Sequence, residues 1–101
     1  MIANITGRVT DIKSDRMILE VGGVGLFVYV PNPLRQTLRK GETASLHTYL
    51  VVREDSLTLY GFATAEEREY FVLLLGVNGV GPRLALAILS ALNPAAIRRA
   101  V

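Results

Sequence analysis

Gly76-Val-Asn-Gly-Val-Gly81, followed at once by Pro82 and Arg83, is where residue types and spacing in this sequence converge on a defined chemistry. Apolar residues recur at helical spacing on both sides of it, so the segment joins two helices. The first amides of the second helix then lack intrahelical partners, and together with the helix dipole they form a site for an anion. Glycine permits positive φ there and lets a phosphate approach the backbone with no Cβ in the way. Arg83, just inside the helix, reaches a neighbouring phosphate oxygen. Gly79, Val80, Gly81 and Arg83 are therefore candidate phosphate contacts, in the manner of a helix-hairpin-helix that grips DNA by its backbone and carries no base information. The competing reading is a plain helical hairpin whose glycines only allow a tight turn.

Other chemistry is thin. With no cysteine, disulfides, thiolate metal sites and cysteine nucleophiles are excluded. His47 is the single histidine and lies in a strand pattern between Leu46 and Thr48. It offers neither a metal cluster nor a paired general base, and is expected to be structural. Gly22-Gly-Val-Gly25 falls between two strands and lacks the helix and third glycine of a dinucleotide fingerprint, so it reads as a hairpin turn. Glu54 and Asp55 are adjacent acids at another hairpin tip. From the residues alone they read as a solvated turn, the alternative being a negative point aimed at nucleic acid that repels or mimics phosphates. No cofactor or metal is expected, and no catalytic residue is assigned.

Eleven basic and nine acidic residues leave a net charge of +2. Divided after Phe62, the chain has seven basic against six acidic residues, then four against three. Neither half is a basic block, so phosphate binding has to come from geometry as well as charge. Half the residues are hydrophobic, enough to build a core. Arg8 and Asp11 interrupt any secretory signal, and the apolar run from Phe71 to Leu75 is far short of the roughly 20 residues that span a bilayer. The chain reads as soluble and cytoplasmic, with no membrane partner.

The elements that must position these residues change character near Phe62. Before it the pattern has period two. Ile5, Gly7 and Val9 alternate with Thr6, Arg8 and Thr10, and Asp11 to Asp15 breaks that run. Arg16 to Val21 and Leu26 to Val30 form a pair across the Gly22 to Gly25 turn. Pro31-Asn-Pro33 stops the second strand, and Leu34 to Leu38 forms a helical turn. Thr43 to Arg53 and Leu57 to Phe62 form another pair across Glu54, Asp55 and Ser56. About five short strands with glycine turns predict a small closed barrel of the oligonucleotide-binding (OB) type, with two stacked sheets as the alternative. Apolar residues on both strand faces, Val28 and Val30 against Phe27 and Tyr29, imply something packed outside the barrel.

After Phe62 the period becomes helical. Thr64 and Glu67 make a capping box, and Tyr70, Phe71, Leu74 and Leu75 are the predicted buried stripe. Pro82 suits the first position of the next helix, whose apolar face is Leu84, Ala85, Ile88, Leu89 and Leu92. Asn93-Pro94 signals a third helix still running at Val101, so the sequence is expected to be the front part of a longer protein. The division is residues 1–63 as the barrel and 64–101 as the first part of an all-α helix-hairpin-helix domain.

Glu20-Val-Gly-Gly-Val-Gly25, Val51-Val-Arg-Glu-Asp55, Leu59-Tyr-Gly-Phe62, Asn78-Gly-Val-Gly-Pro82 and Leu84-Ala-Leu-Ala-Ile-Leu-Ser90 together closely resemble the RuvA family, bacterial subunits that recognise Holliday junctions. The resemblance implies a barrel followed by helix-hairpin-helix motifs, and a homotetramer or octamer that holds a four-way junction open. It implies service to a hexameric ATPase motor, RuvB, in branch migration during recombination, repair and the SOS response, and a link to the RuvC resolvase. By the same resemblance Gly79, Gly81 and Arg83 contact phosphates, and Glu54 and Asp55 become an acidic pin at the junction centre. The family's second hairpin and its C-terminal motor-binding domain have no counterpart in this sequence. An assembly module without DNA selectivity, or a nuclease or glycosylase fragment that docks through the hairpin, are the alternatives from other classes.

Overall fold

Alternation of inward apolar and outward polar side chains builds the first part of the molecule. The computed structural model describes residues 2–92. Five strands form a closed barrel: β1 (Asn4–Ile12), β2 (Arg16–Val21), β3 (Val24–Tyr29), β4 (Thr43–Arg53) and β5 (Ser56–Phe62). β2 lies antiparallel to β1 and to β3, and β4 lies antiparallel to β1 and to β5. A short parallel pairing of β3 with β5, Val28 opposite Leu59 and Tyr29 opposite Tyr60, closes the ring. Closure removes the edges that an open sheet would expose. The inward residues Ile5, Val9, Met17, Leu19, Val28, Val30, Leu46 and Leu59 fill the interior.

Several boundaries differ from the pattern read along the sequence: Ser56 pairs with Arg53 and opens β5, the helical turn begins at Asn32, and two further shifts have clear causes. β1 continues through Asp11 to Ile12, because a bulge between Val9 and Asp11 absorbs the break in alternation. The carboxylate of Asp11 then accepts a hydrogen bond from the Ile12 amide at 2.9 Å, and meets Lys13 at 3.1 Å and Lys40 at 3.2 Å. The turn between β2 and β3 uses only Gly22 and Gly23, both at positive φ, so Gly25 belongs to β3.

A short helix, α1 (Asn32–Thr37), leads from β3 toward β4. α2 (Ala65–Leu75) starts at Thr64, whose hydroxyl accepts from the Glu67 amide at 3.1 Å. The Glu67 carboxylate accepts a hydrogen bond from that hydroxyl at 3.4 Å, and burial raises its pKa. α3 (Pro82–Ala91) packs against α2. A second core forms where these helices meet the barrel. Phe71, fully buried, lies 5.0 Å from the rings of both Tyr60 and Phe62, and Ala85 and Leu89 of α3 complete the cluster. Tyr29 joins it from β3, as the two-faced strand pattern requires, whereas Phe27 stays outside it and exposed. The helix stripe is narrower than expected: Leu84 and Leu92 are each half exposed. The helix expected from Asn93 lies outside the described residues. Among those described, no helix is long and apolar enough to cross a membrane.

Candidate nucleic-acid interface

The loop between α2 and α3 is shaped by two backbone turns. The amides of Gly76 and Val77 return to the carbonyls at the end of α2, and the Val80 amide bonds the Val77 carbonyl at 3.1 Å. Gly79 sits third in that last turn with φ +84, a conformation costly for any residue with a Cβ. Val80, half-buried, anchors the loop in the second core.

Gly81 is different. It is the N-cap of α3, with φ −87 and ψ 175, backbone that any residue adopts. A Cβ placed there meets nothing within 4 Å. Neither conformation nor internal packing asks for glycine at this position. Its Cα faces open space beside the start of a helix that has no side-chain cap, and whose first residue, Pro82, has no N–H. The first intrahelical bond runs from the Ala85 amide to the Gly81 carbonyl at 2.9 Å. The amides of Arg83 and Leu84 therefore fall among the first-turn donors that an intrahelical carbonyl cannot reach.

Arg83 is exposed, and its guanidinium lies 5.8 Å from the centre of the Tyr29 ring. Tyr29 rests in turn on Tyr60 at 5.7 Å. A cleft of about 390 Å³ runs from the start of α3 along the β4–β5 hairpin, lined among others by Arg53, Ser56, Thr58, Tyr60, Gly81 and Arg83. Burial raises the pKa of the Tyr60 hydroxyl, and the charges of Arg83 and Arg53 oppose that rise. Arg53 and Arg83 thus line one cleft together with the ring of Tyr60 and the hydroxyl residues Ser56 and Thr58.

The structure brings Gly79, Val80, Gly81 and Arg83 together at this one helix start. It places Glu54 and Asp55 elsewhere, as the exposed two-residue turn of the β4–β5 hairpin, beyond the Arg53–Ser56 pair that lines the cleft. The acids and the cleft therefore share one hairpin. His47 pairs with Asn4 and Phe62 on β4, away from both. Among the described residues no group of three or more His, Cys, Asp or Glu side chains is placed to hold a metal. The sequence does not single out Arg53 and Tyr60 as cleft residues, nor Tyr29 as the ring beside Arg83. The signal for Arg53 was its position next to the acids at the hairpin tip, and for Tyr29 its outward place on a strand.

The family model described as RuvA N terminal domain matches residues 1–61. The chain belongs to the RuvA family. Similarity extends past that match, through the hairpin loop and α3. The Holliday junction branch migration complex subunit RuvA of Streptomyces coelicolor is 56% identical over 102 residues, covering 100% of this chain and 50% of that protein. The same subunit of Micrococcus luteus is 52% identical, covering 100% of this chain and 47% of the relative. That of Mycolicibacterium smegmatis is 48% identical, again over the whole chain and 52% of the relative. The chain spans about half the length of the curated relatives it matches.

Proposed function

We propose that this chain is the DNA-gripping front part of a RuvA-type subunit, a non-catalytic module that holds a four-way junction open for branch migration. The observation that carries the reading is Gly81, a glycine that neither its backbone angles nor its packing requires, at a helix start with no side-chain cap next to an exposed arginine. A phosphate seated there would accept hydrogen bonds from the first-turn amides and a charge-assisted one from Arg83. The junction as ligand comes from the names of the relatives, which are subunits of a Holliday junction branch migration complex.

In this reading Gly79, Val80, Gly81 and Arg83 set the position of a duplex arm, and Arg53 extends the contact along the hairpin. Glu54 and Asp55 are the pin. Two carboxylates at one tip repel phosphates, which lowers affinity for ordinary duplex and favours DNA whose strands part around them. Residues 1–63 would be the barrel that carries the pin, and 64–101 the first part of the helix-hairpin-helix region. The working assembly would be a homotetramer, pins at its centre, acting in the cytoplasm with the RuvB motor and the RuvC resolvase. The test is a gel-shift titration of a four-way junction against duplex of equal length, with light scattering to give the mass of the complex. Preference for the junction is expected; equal affinity for both would overturn the proposal.

A further inference from the structure

The outer side of β2 and β3 carries a row of side chains that the phosphate site does not use. Successive residues of a strand face opposite ways. Met17, Leu19 and Val28 therefore fill the barrel, while Arg16 of β2 and Phe27 and Tyr29 of β3 share its outer face. Phe27 is 52% exposed. The Arg16 guanidinium lies 5.0 Å from the Phe27 ring centre and 5.7 Å from that of Tyr29, and the Arg83 guanidinium lies 5.8 Å from Tyr29. The order in space is Phe27, Arg16, Tyr29, Arg83: ring and cation alternate from open barrel surface to the start of α3. Tyr29 rests on Tyr60, which is buried, so the row is held in place before any ligand arrives.

An exposed ring, Phe27, and a half-buried one, Tyr29, alternating with guanidinium groups match a polymer that alternates flat aromatic units with anions. Unpaired nucleotides have that chemistry, with bases stacking on the rings and phosphates meeting the arginines. A duplex does not offer it, because its base faces are already stacked on each other. The second and third strands of small barrels of this type also present a face suited to oligonucleotides. Asp15 holds Arg16 from the loop side at 3.2 Å, but both partners are partly exposed, so the pair is weak and leaves the row cationic enough to meet a phosphate.

We propose that Phe27, Arg16 and Tyr29 form a stacking platform for single-stranded DNA, which continues from the phosphate site at Arg83 onto the barrel. It rests on the phosphate reading only for where the strand enters. The experiment is fluorescence anisotropy of the protein with a short dye-labelled oligothymidylate and, separately, with duplex. Phe27→Ala should weaken oligothymidylate binding by about 5- to 150-fold, the range for one base–aromatic stack, and leave duplex affinity unchanged. Phe27→Trp should restore the single-strand affinity. Gly81→Ala should weaken duplex binding instead, so failure of the phosphate reading would show in that arm alone. Unchanged oligothymidylate affinity in Phe27→Ala would overturn the platform. So would a lower mass of the Phe27→Ala protein by light scattering, which would make this face a contact between copies of the chain.

Discussion

Replacing Gly81 by alanine separates a glycine kept for the fold from one kept for a ligand. At φ −87 and ψ 175 alanine is unstrained, and its methyl group meets nothing within 4 Å. Two stability terms then oppose each other. Alanine is a poorer N-cap than glycine by roughly 0.5–1 kcal/mol, and it stiffens the unfolded chain by about the same amount. The melting temperature should therefore move by less than about 8 °C, the shift that roughly 1 kcal/mol produces in a domain this small. Bound DNA should respond far more. If the methyl displaces a phosphate from even one amide, a hydrogen bond to a charged group worth roughly 1.5–3 kcal/mol is lost, or about 10- to 150-fold in affinity. Circular dichroism melts and a gel-shift titration on a four-way junction measure the two sides. Junction affinity within about twofold of wild type, with the melt unchanged, would show that nothing approaches the Gly81 Cα. Gly79→Ala cannot make this distinction, because at φ +84 it strains the turn whether or not DNA binds.

Four further outcomes are expected. Arg83→Gln should reduce the slope of log affinity against log salt by about 0.9 for the phosphate contact removed, as seen in binding titrations across a salt series. Glu54→Gln with Asp55→Asn, at exposed turn positions, should leave stability within about 0.5 kcal/mol while tightening duplex binding and eroding preference for junctions; an unaltered junction-to-duplex ratio in gel shifts would remove the pin. Phe71→Ala should cost about 3–5 kcal/mol by urea unfolding, because its fully buried ring joins barrel to helices. Lys13, then Lys40 and the Ile12 amide, hold the Asp11 carboxyl at about 2, below its ordinary 3.8. A carboxyl whose pKa falls on folding stabilises the protein fully above the ordinary value and loses that contribution as pH falls toward the folded one. The stability gap between wild type and Asp11→Asn should accordingly narrow between pH 3.8 and about 2, as read from urea midpoints.

Local physics made much of this fold legible. Strand alternation, the Gly22-Gly23 turn, the Thr64 cap and Pro82 at a helix start are written in neighbouring residues, and the elements form where those signals stand. The bulge near Asp11 hid the end of β1, because one extra residue shifts the alternation on which the pattern depends. The parallel β3–β5 pairing joins residues far apart in sequence and has no local signature. That pairing sets Tyr29, whose ring centre lies 5.8 Å from the Arg83 guanidinium, beside Tyr60. The loop of the candidate site could be read from its glycines; the cleft beside it could not, since Arg53 and Tyr60 arrive from the barrel only through tertiary packing. Gly79 and Gly81 look alike in the sequence, and only backbone angles separate a turn-former from a residue with open space at its Cα.

The β4–β5 hairpin has a mechanical consequence. Seven antiparallel pairs run without interruption from His47–Phe62 to Arg53–Ser56. Just below the tip, Val52 and Leu57 are paired across the ribbon, two exposed apolar residues at cross-strand positions. The ribbon is thus a continuous hydrogen-bonded strut, along which a push on Glu54 or Asp55 is passed toward the barrel. At its base the Tyr49–Tyr60 pair meets Phe71, so the load arrives at the ring that α2 holds against the barrel. A load on the tip would therefore bear on the packing of α2 against the barrel. Softening the strut by changing Val52 and Leu57 to serine should uncouple the two ends, which backbone relaxation of the tip amides would register as added motion.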